Sequence, residues 1–347
     1  MNANAGQKRN LRLSDDRKNI VVIGGGNGSS AALRGLKKYD VDLTVVVTMF
    51  DSGGSTGILR EEFGYPPLGD IRQCLVALSS EEDEQVSVLN SALDFRFDSG
   101  SSLQGHSVGN LVLAALTTAY NGVQGAIDEL SRMMRLQGQV VPVTLDEAHL
   151  CARLVDGTVI RTESAIDLRG NNGAGISEVF LDADVSANQR AIEAIKKADA
   201  ILLGPGDLYT SVVPNLLVEE VSNAIRDTKS PVIYACNLMT KLGETAGYGA
   251  STFASEAVRY LGGRKLDHLL VNNNQFSQEV LSLYEAEDAS PVELDNGDAE
   301  KFAHEITVAD LASADGLTVR HHSGRLAAIV MAAIEQPIAK PLGDGPD

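Results

Sequence analysis

With 347 residues, 44% of them apolar, the chain has material for one large α/β domain or two closely joined ones. No apolar run approaches the roughly 20 residues of a bilayer-spanning helix, and the start MNANAGQKRNLRLSDDRK lacks the apolar core of a signal peptide, so neither a membrane span nor export is expected. Against 29 Lys and Arg stand 47 Asp and Glu, a formal net charge of -18, which argues against a broad nucleic-acid footprint but not against a small anion held locally by backbone amides.

Residues 1–18 read as a loose tail. An apolar strand, Ile20 to Ile23, then runs into Gly24-Gly25-Gly26-Asn27-Gly28-Ser29-Ser30, and a helix is expected over Ala31 to Lys38. Glycines let main-chain N–H groups close on an anion that a Cβ would hold away, and a helix start adds its own unpaired N–H groups. A second apolar strand, Leu43 to Thr48, ends in Asp51-Ser52-Gly53-Gly54-Ser55-Thr56-Gly57. This is a second glycine and hydroxyl nest at a point where a dinucleotide fold carries one acidic residue and begins a helix. Gly69-Asp70 precedes a helix over Ile71 to Leu78, with Asp70 at the cap position, where it also reads as an ordinary helix cap. The acidic run Glu81 to Glu84 reads as the solvated start of a helix over Gln85 to Phe97. A further helix begins near His106 and runs to Tyr120, which places His106 and Asn110 in its first turns as candidate binding groups.

From Gln139 the residues alternate. Leu150 to Val155, Asp156-Gly157 and Thr158 to Glu163 read as a hairpin with a primed turn, inside a β-rich insertion over 139–186 with a structural or lid role. The α/β rhythm returns with a helix, Gln189 to Lys197, and a strand, Ala200 to Leu203, that enters a third glycine loop, Gly204-Pro205-Gly206-Asp207-Leu208-Tyr209. Strands at Val232 to Cys236 and His268 to Val271 follow, the first leading to Asn237 and Thr240, and the last helix spans Ser323 to Ile334 before a loose tail over 336–347. The whole reads as one Rossmann-like, doubly wound, mostly parallel domain over 19–335, its loops gathered on the carboxyl edge of the sheet.

No GK[ST] follows any glycine cluster, which excludes a P-loop. NAD is suggested by Gly24-x-Gly26 and Asp51 and opposed by Ser29, which stands where the third fingerprint glycine belongs, and by the second nest. Metal-assisted transfer would need carboxylates beside phosphates, and Asp51, Asp70 and Asp207 are the candidates, each equally a turn or cap residue. Cys74, Cys151 and Cys236 form no zinc or disulfide spacing and suit a reducing cytoplasm.

The chain resembles the gluconeogenesis factor (YvcK-like) family, related to the CofD-like 2-phospho-L-lactate transferases. The resemblance rests on GGGNG at Gly24 to Gly28, DSGGSTGILR at Asp51 to Arg60, PPLGDIRQCLVALS at Pro66 to Ser79, GHSVGNL at Gly105 to Leu111, LGPGDLYTSVVPNLL at Leu203 to Leu217 and CNLMTKLGETAGY at Cys236 to Tyr248. It implies a cytoplasmic protein that binds UDP-N-acetylglucosamine or UDP-glucose and takes part in control of cell shape and cell-wall precursors, more a binding protein than an enzyme and without establishing catalysis, with room for a protein partner and a homo-oligomer. Leu281-Ser282-Leu283-Tyr284 and Val319-Arg320-His321 resemble family positions associated with the nucleotide sugar, which adds Tyr284 and Arg320 to the expected ligand set. The transferase branch implies the alternative: phospholactate moved from a guanosine diphospho-lactate donor to a deazaflavin, with Mg2+ on Asp51. The chain departs from the family pattern at Asn27, at Phe50 before a single Asp51, and at Lys241-Leu242 and Ala246, where the family has Gln-Pro and an acid.

Overall fold

A computed structural model describes residues 17–335 apart from 99, 101–102, 171–173, 296–297 and 316. The two expected tails therefore lie outside the described residues, except that Lys18 already begins the first strand, β1 (Lys18–Gly24). Ile20, Val21, Val22 and Ile23 in β1 are all 0–1% exposed. A strand apolar on both faces needs helices above and below it, and that is how a central parallel strand is covered. The strands β2 (Val41–Val47), β3 (Gln139–Pro142), β7 (Ala200–Leu203), β8 (Val232–Ala235), β9 (Leu266–Asn272) and β10 (Ala303–Ala309) join it in a seven-stranded sheet of order β10-β9-β8-β7-β1-β2-β3. Every pairing in it is parallel, with Ile20 beside Leu43 on one side and Ala200 on the other. The chain order runs outward from β1 to β3, then returns to β7 and runs outward the other way. The reversal leaves a crevice outside the carboxyl ends of β1 and β7.

The helices in chain order are α1 (Gly26–Leu36), α2 (Gly54–Phe63), α3 (Gly69–Leu78), α4 (Glu84–Asp94), α5 (Val108–Ala119), α6 (Val123–Met133), α7 (Glu163–Asp167), α8 (Gln189–Lys197), α9 (Val213–Leu216), α10 (Glu219–Asp227), α11 (Ala250–Tyr260), α12 (Gln278–Ala286) and α13 (Ser323–Glu335). None of them is long and apolar enough to cross a membrane. A separate antiparallel sheet, β5-β4-β6, is made by β4 (Leu150–Leu154), β5 (Val159–Arg161) and β6 (Ile176–Leu181), and a hairpin by β11 (Ala312–Asp315) and β12 (Thr318–His321).

Several expectations change. Helix α1 starts at Gly26, not Ala31, because Gly25 is extended and serves as its N-cap, so the glycine cluster is the helix's first turn. Likewise α2 begins at Gly54, leaving only Asp51 to Gly53 as loop and removing one argument against a dinucleotide. Asp70 is in the first turn of α3, while Leu68 holds the cap position. Strand β3 belongs to the main sheet, so the β-rich insertion is narrower than 139–186. Its hairpin lacks a primed turn: Gly157 N–H donates to Leu154 O, neither Val155 nor Asp156 has positive φ, and Gly157 does (88°), which is a type I turn closed by a left-handed glycine.

Candidate functional site

The crevice at the strand-order reversal is a cleft of about 760 Å³. One wall is the start of α1, Gly25 to Gly28; the facing wall is Gly206 and Asp207 from the loop after β7. Two glycines make this approach possible. A Cβ on Gly28 would stand 2.4 Å from Pro205 O, and one on Gly25 2.1 Å from Asp70 Oδ2, so α1 is pressed against both the third glycine loop and α3. Asn237, Thr240 and Lys241 enter after β8, Asp70 and Gln73 from one face of α3, Tyr284 from α12, Arg320 and His321 from β12, and Asp167 and Arg169 from the end of α7.

The electrostatics are mixed. Gly26 N–H donates to the Asp70 carboxyl, yet burial first and the nearby Asp51 charge second push Asp70 up to about 7. The amide nest thus already holds a carboxyl group of its own chain. Arg320 is exposed on the cleft lining, and among the described residues its guanidinium is in no ion pair. Tyr284 accepts the Val319 N–H at 2.9 Å through its hydroxyl, which leaves the ring as its contribution to the wall. His321 donates Nε2–H to Cys236 O at 3.2 Å, and burial lowers its pKa to about 4, so it is neutral. Arg169 is fastened by Nε to Gly243 O at 3.0 Å and by Nη1 to Ala174 O at 2.8 Å.

The expected site residues separate into groups. Gly25, Gly26, Asn27, Gly28, Asp70, Gly206, Asp207, Asn237, Thr240, Tyr284 and Arg320 line the cleft. Gly24 ends β1 and Gly204 directly follows β7, Gly24 O taking the Thr48 N–H at 3.0 Å. The loop after β2 turns to α7: Ser52 N–H donates to Glu163 Oε2 at 3.1 Å, Ser164 N–H to Ser52 Oγ at 2.9 Å, and Gly53 N–H to Asp51 Oδ1 at 2.8 Å. Asp51, Ser52, Gly53 and Gly54 therefore border the cleft instead of lining it. Ser55, His106 and Asn110 meet in a buried polar knot, with Ser55 Oγ 2.9 Å from His106 Nδ1 and 3.2 Å from Asn110 Nδ2, away from the cleft wall. Tyr209 is a correction: it is 1% exposed, and its hydroxyl bonds Tyr248 OH and Glu256 at 3.0 Å each, because the irregular turn after Asp207 rotates it into the core.

Among the described residues, the three carboxylates close enough to surround an ion are Asp167, Asp207 and Glu244, a group without Asp51. Gln73, Asp167, Arg169, Lys241 and His321 line the cleft without having been expected there. Gln73 is three residues after Asp70, hence on the same helix face, and that spacing could have found it.

The family model for 2-phospho-L-lactate transferase CofD matches residues 20–312. The chain is 41% identical over 280 residues to the gluconeogenesis factor of Halalkalibacterium halodurans, covering 80% of this chain and 85% of the relative. It is 35% identical over 318 residues to the gluconeogenesis factor of Bacillus subtilis, covering 91% and 98%. A crystal structure of a Bacillus halodurans protein of the UPF0052 family superposes with a TM-score of 0.85 at 37% identity, over 91% of this chain and 99% of that one.

Proposed function

The chain belongs to the CofD family, with gluconeogenesis factors among its relatives, and from that premise we propose that it is a cytoplasmic regulatory protein that binds a nucleotide sugar, UDP-N-acetylglucosamine or UDP-glucose, in control of cell shape and cell-wall precursors. The observation that carries this reading is the cleft at the strand-order reversal, with the α1 amides opposite the Gly206 loop and the exposed Arg320 on its lining. Amides at a helix start and a guanidinium fork are the groups that hold a diphosphate, and the Tyr284 ring is a flat apolar wall for a base or sugar. Calorimetry with UDP-N-acetylglucosamine, UDP-glucose, GDP and NAD tests it; absence of binding by both UDP-sugars refutes it. Arg320→Ala should weaken the UDP-sugar by at least about 1.5 kcal/mol, the low end for a charged hydrogen bond, and leave the melting of the unliganded protein unchanged. Tyr284→Phe keeps the ring, so ligand affinity should hold while the lost Val319 contact lowers stability by about 1 kcal/mol.

A second reading, phospholactate transfer with Mg2+, is favoured by the acids bordering the cleft. Glu163 is raised to about 8 by burial and then by Asp51, and Asp70 is raised for the same two reasons, so these acids repel one another and a cation beside them would relieve that repulsion, although their oxygens do not converge as those of Asp167, Asp207 and Glu244 do. Turnover of a guanosine diphospho-lactate donor with a deazaflavin acceptor and Mg2+ decides it. Product that disappears in Asp51→Asn would establish this reading over pure binding.

A further inference from the structure

Three chain segments far apart in sequence each deliver one carboxylate to a single point on the cleft rim. Asp167 closes α7, Asp207 is in the loop after β7, Glu244 is in the loop after β8, and their nearest oxygens all lie within 4.8 Å of one another. Three carboxylates converging on this scale are able to enclose a divalent ion. Here the centre is occupied by the Lys241 ammonium: Nζ donates to Asp207 Oδ2 at 2.8 Å, stands 3.1 Å from Glu244 Oε1 and pairs with Asp167. Three ammonium protons meet three acceptors, one from each segment. Glu244 is 4% exposed, with the Thr210 hydroxyl 3.5 Å away, so removal of the lysine would leave it buried with no cation.

We propose that Lys241 is a built-in cation that fills a divalent-ion position. It closes this cage to metal and neutralises acids that would otherwise repel an anionic ligand in the adjoining cleft. Asp167 and Asp207 line the same cleft as the α1 amides, and like charges beside an incoming phosphate are unfavourable unless a cation stands between them. A tethered ammonium supplies that charge whatever the metal concentration. It also ties α7 to the core across the rim, beside the Arg169 bonds to Gly243. Lys241 is a positioning residue in this reading, since its three protons are directed at the cage.

Mn2+ titration followed by electron paramagnetic resonance and by thermal melting tests the cage without any nucleotide sugar, so failure of the proposed ligand leaves the result readable. In Lys241→Met the cage keeps its acids and loses its cation. That variant should melt several degrees below wild type, bind one Mn2+ per chain and recover its melting temperature in Mn2+, and both Mn2+ effects should vanish in Lys241→Met/Asp207→Asn. Wild type should bind no Mn2+ that Asp207→Asn removes. The proposal is overturned if wild type does bind such an ion, or if folded Lys241→Met binds none. Lys241→Gln, which keeps two donors, carries the same test should the methionine variant not fold.

Discussion

Asp70 bears on both readings of the cleft because its carboxyl already occupies the amide of Gly26. If the site simply binds an anion, Asp70→Asn removes a competing charge and should strengthen the UDP-sugar several-fold. If Mg2+ bridges Asp51 and Asp70 to a diphosphate, the same variant should weaken binding only when Mg2+ is present, and titrations with and without the ion separate the two by sign. Gly28 lies on the packing side of the same turn. Gly28→Ala puts a Cβ against Pro205 O and Gly206 N at 2.4 and 2.9 Å, both backbone atoms, so about 1–3 kcal/mol of folding stability should be lost in a denaturant titration. Most of the glycines and polar residues of the cleft were legible in the sequence because each followed an apolar strand directly. Tyr209 was not, since nothing in Leu208-Tyr209-Thr210 reveals that an irregular turn points the ring inward. Asp167 and Arg169 gave no local signal either, being brought to the rim by the packing of a separate sheet.

At the scale of elements, the long apolar strands and the capped helices were readable, and the glycine-led helices were misplaced. Gly26 and Gly54 open α1 and α2 although glycine is the poorest helix former after proline, because both take positive φ, 64° and 47°, a conformation in which a Cβ is strained. Strand β10 and the β11–β12 hairpin escaped notice for a different reason. Ala303–Ala309 carries His304 and Glu305 on an edge, so it lacks the unbroken apolar run of the central strands. Helix α5 is the better-specified kind: Ser107 caps it by accepting the Asn110 N–H at 3.2 Å, and it carries Asn110 into the knot with Ser55. Ser107→Ala should therefore cost about 1 kcal/mol in a thermal or denaturant melt.

For the molecule as a whole, the buried acids set a pH window. Asp70, Glu163 and Glu244 all titrate above their ordinary range in the folded state, mainly through burial, so their contribution is full at acid pH and is lost as pH rises through about 7 to 8. His321 works in the opposite direction. Depressed from 6.5 to about 4, it withdraws stability as pH falls through that interval. The three acids outweigh the single histidine, so melting temperature should fall as pH rises from about 5 to 8, by more than about 1 kcal/mol of stability, and the fall should be shallower in Asp70→Asn. The doubly wound order was legible from the alternation of strands and helices, whereas the position of the reversal was not, since neighbours in the sheet need not be neighbours in the sequence.

That reversal has a consequence for how the protein comes into being. The pairing of β1 with β7 joins residues 180 apart, as Asn19 and Asp199 show, and β12 supplies Arg320 later still. A chain emerging from the ribosome can pair β1 with β2 early, but it carries an uncovered β1 edge until β7 arrives. The cleft is thus among the last features to form, and a nascent chain stalled before residue 200 exposes a long apolar parallel edge to chaperones or to other chains.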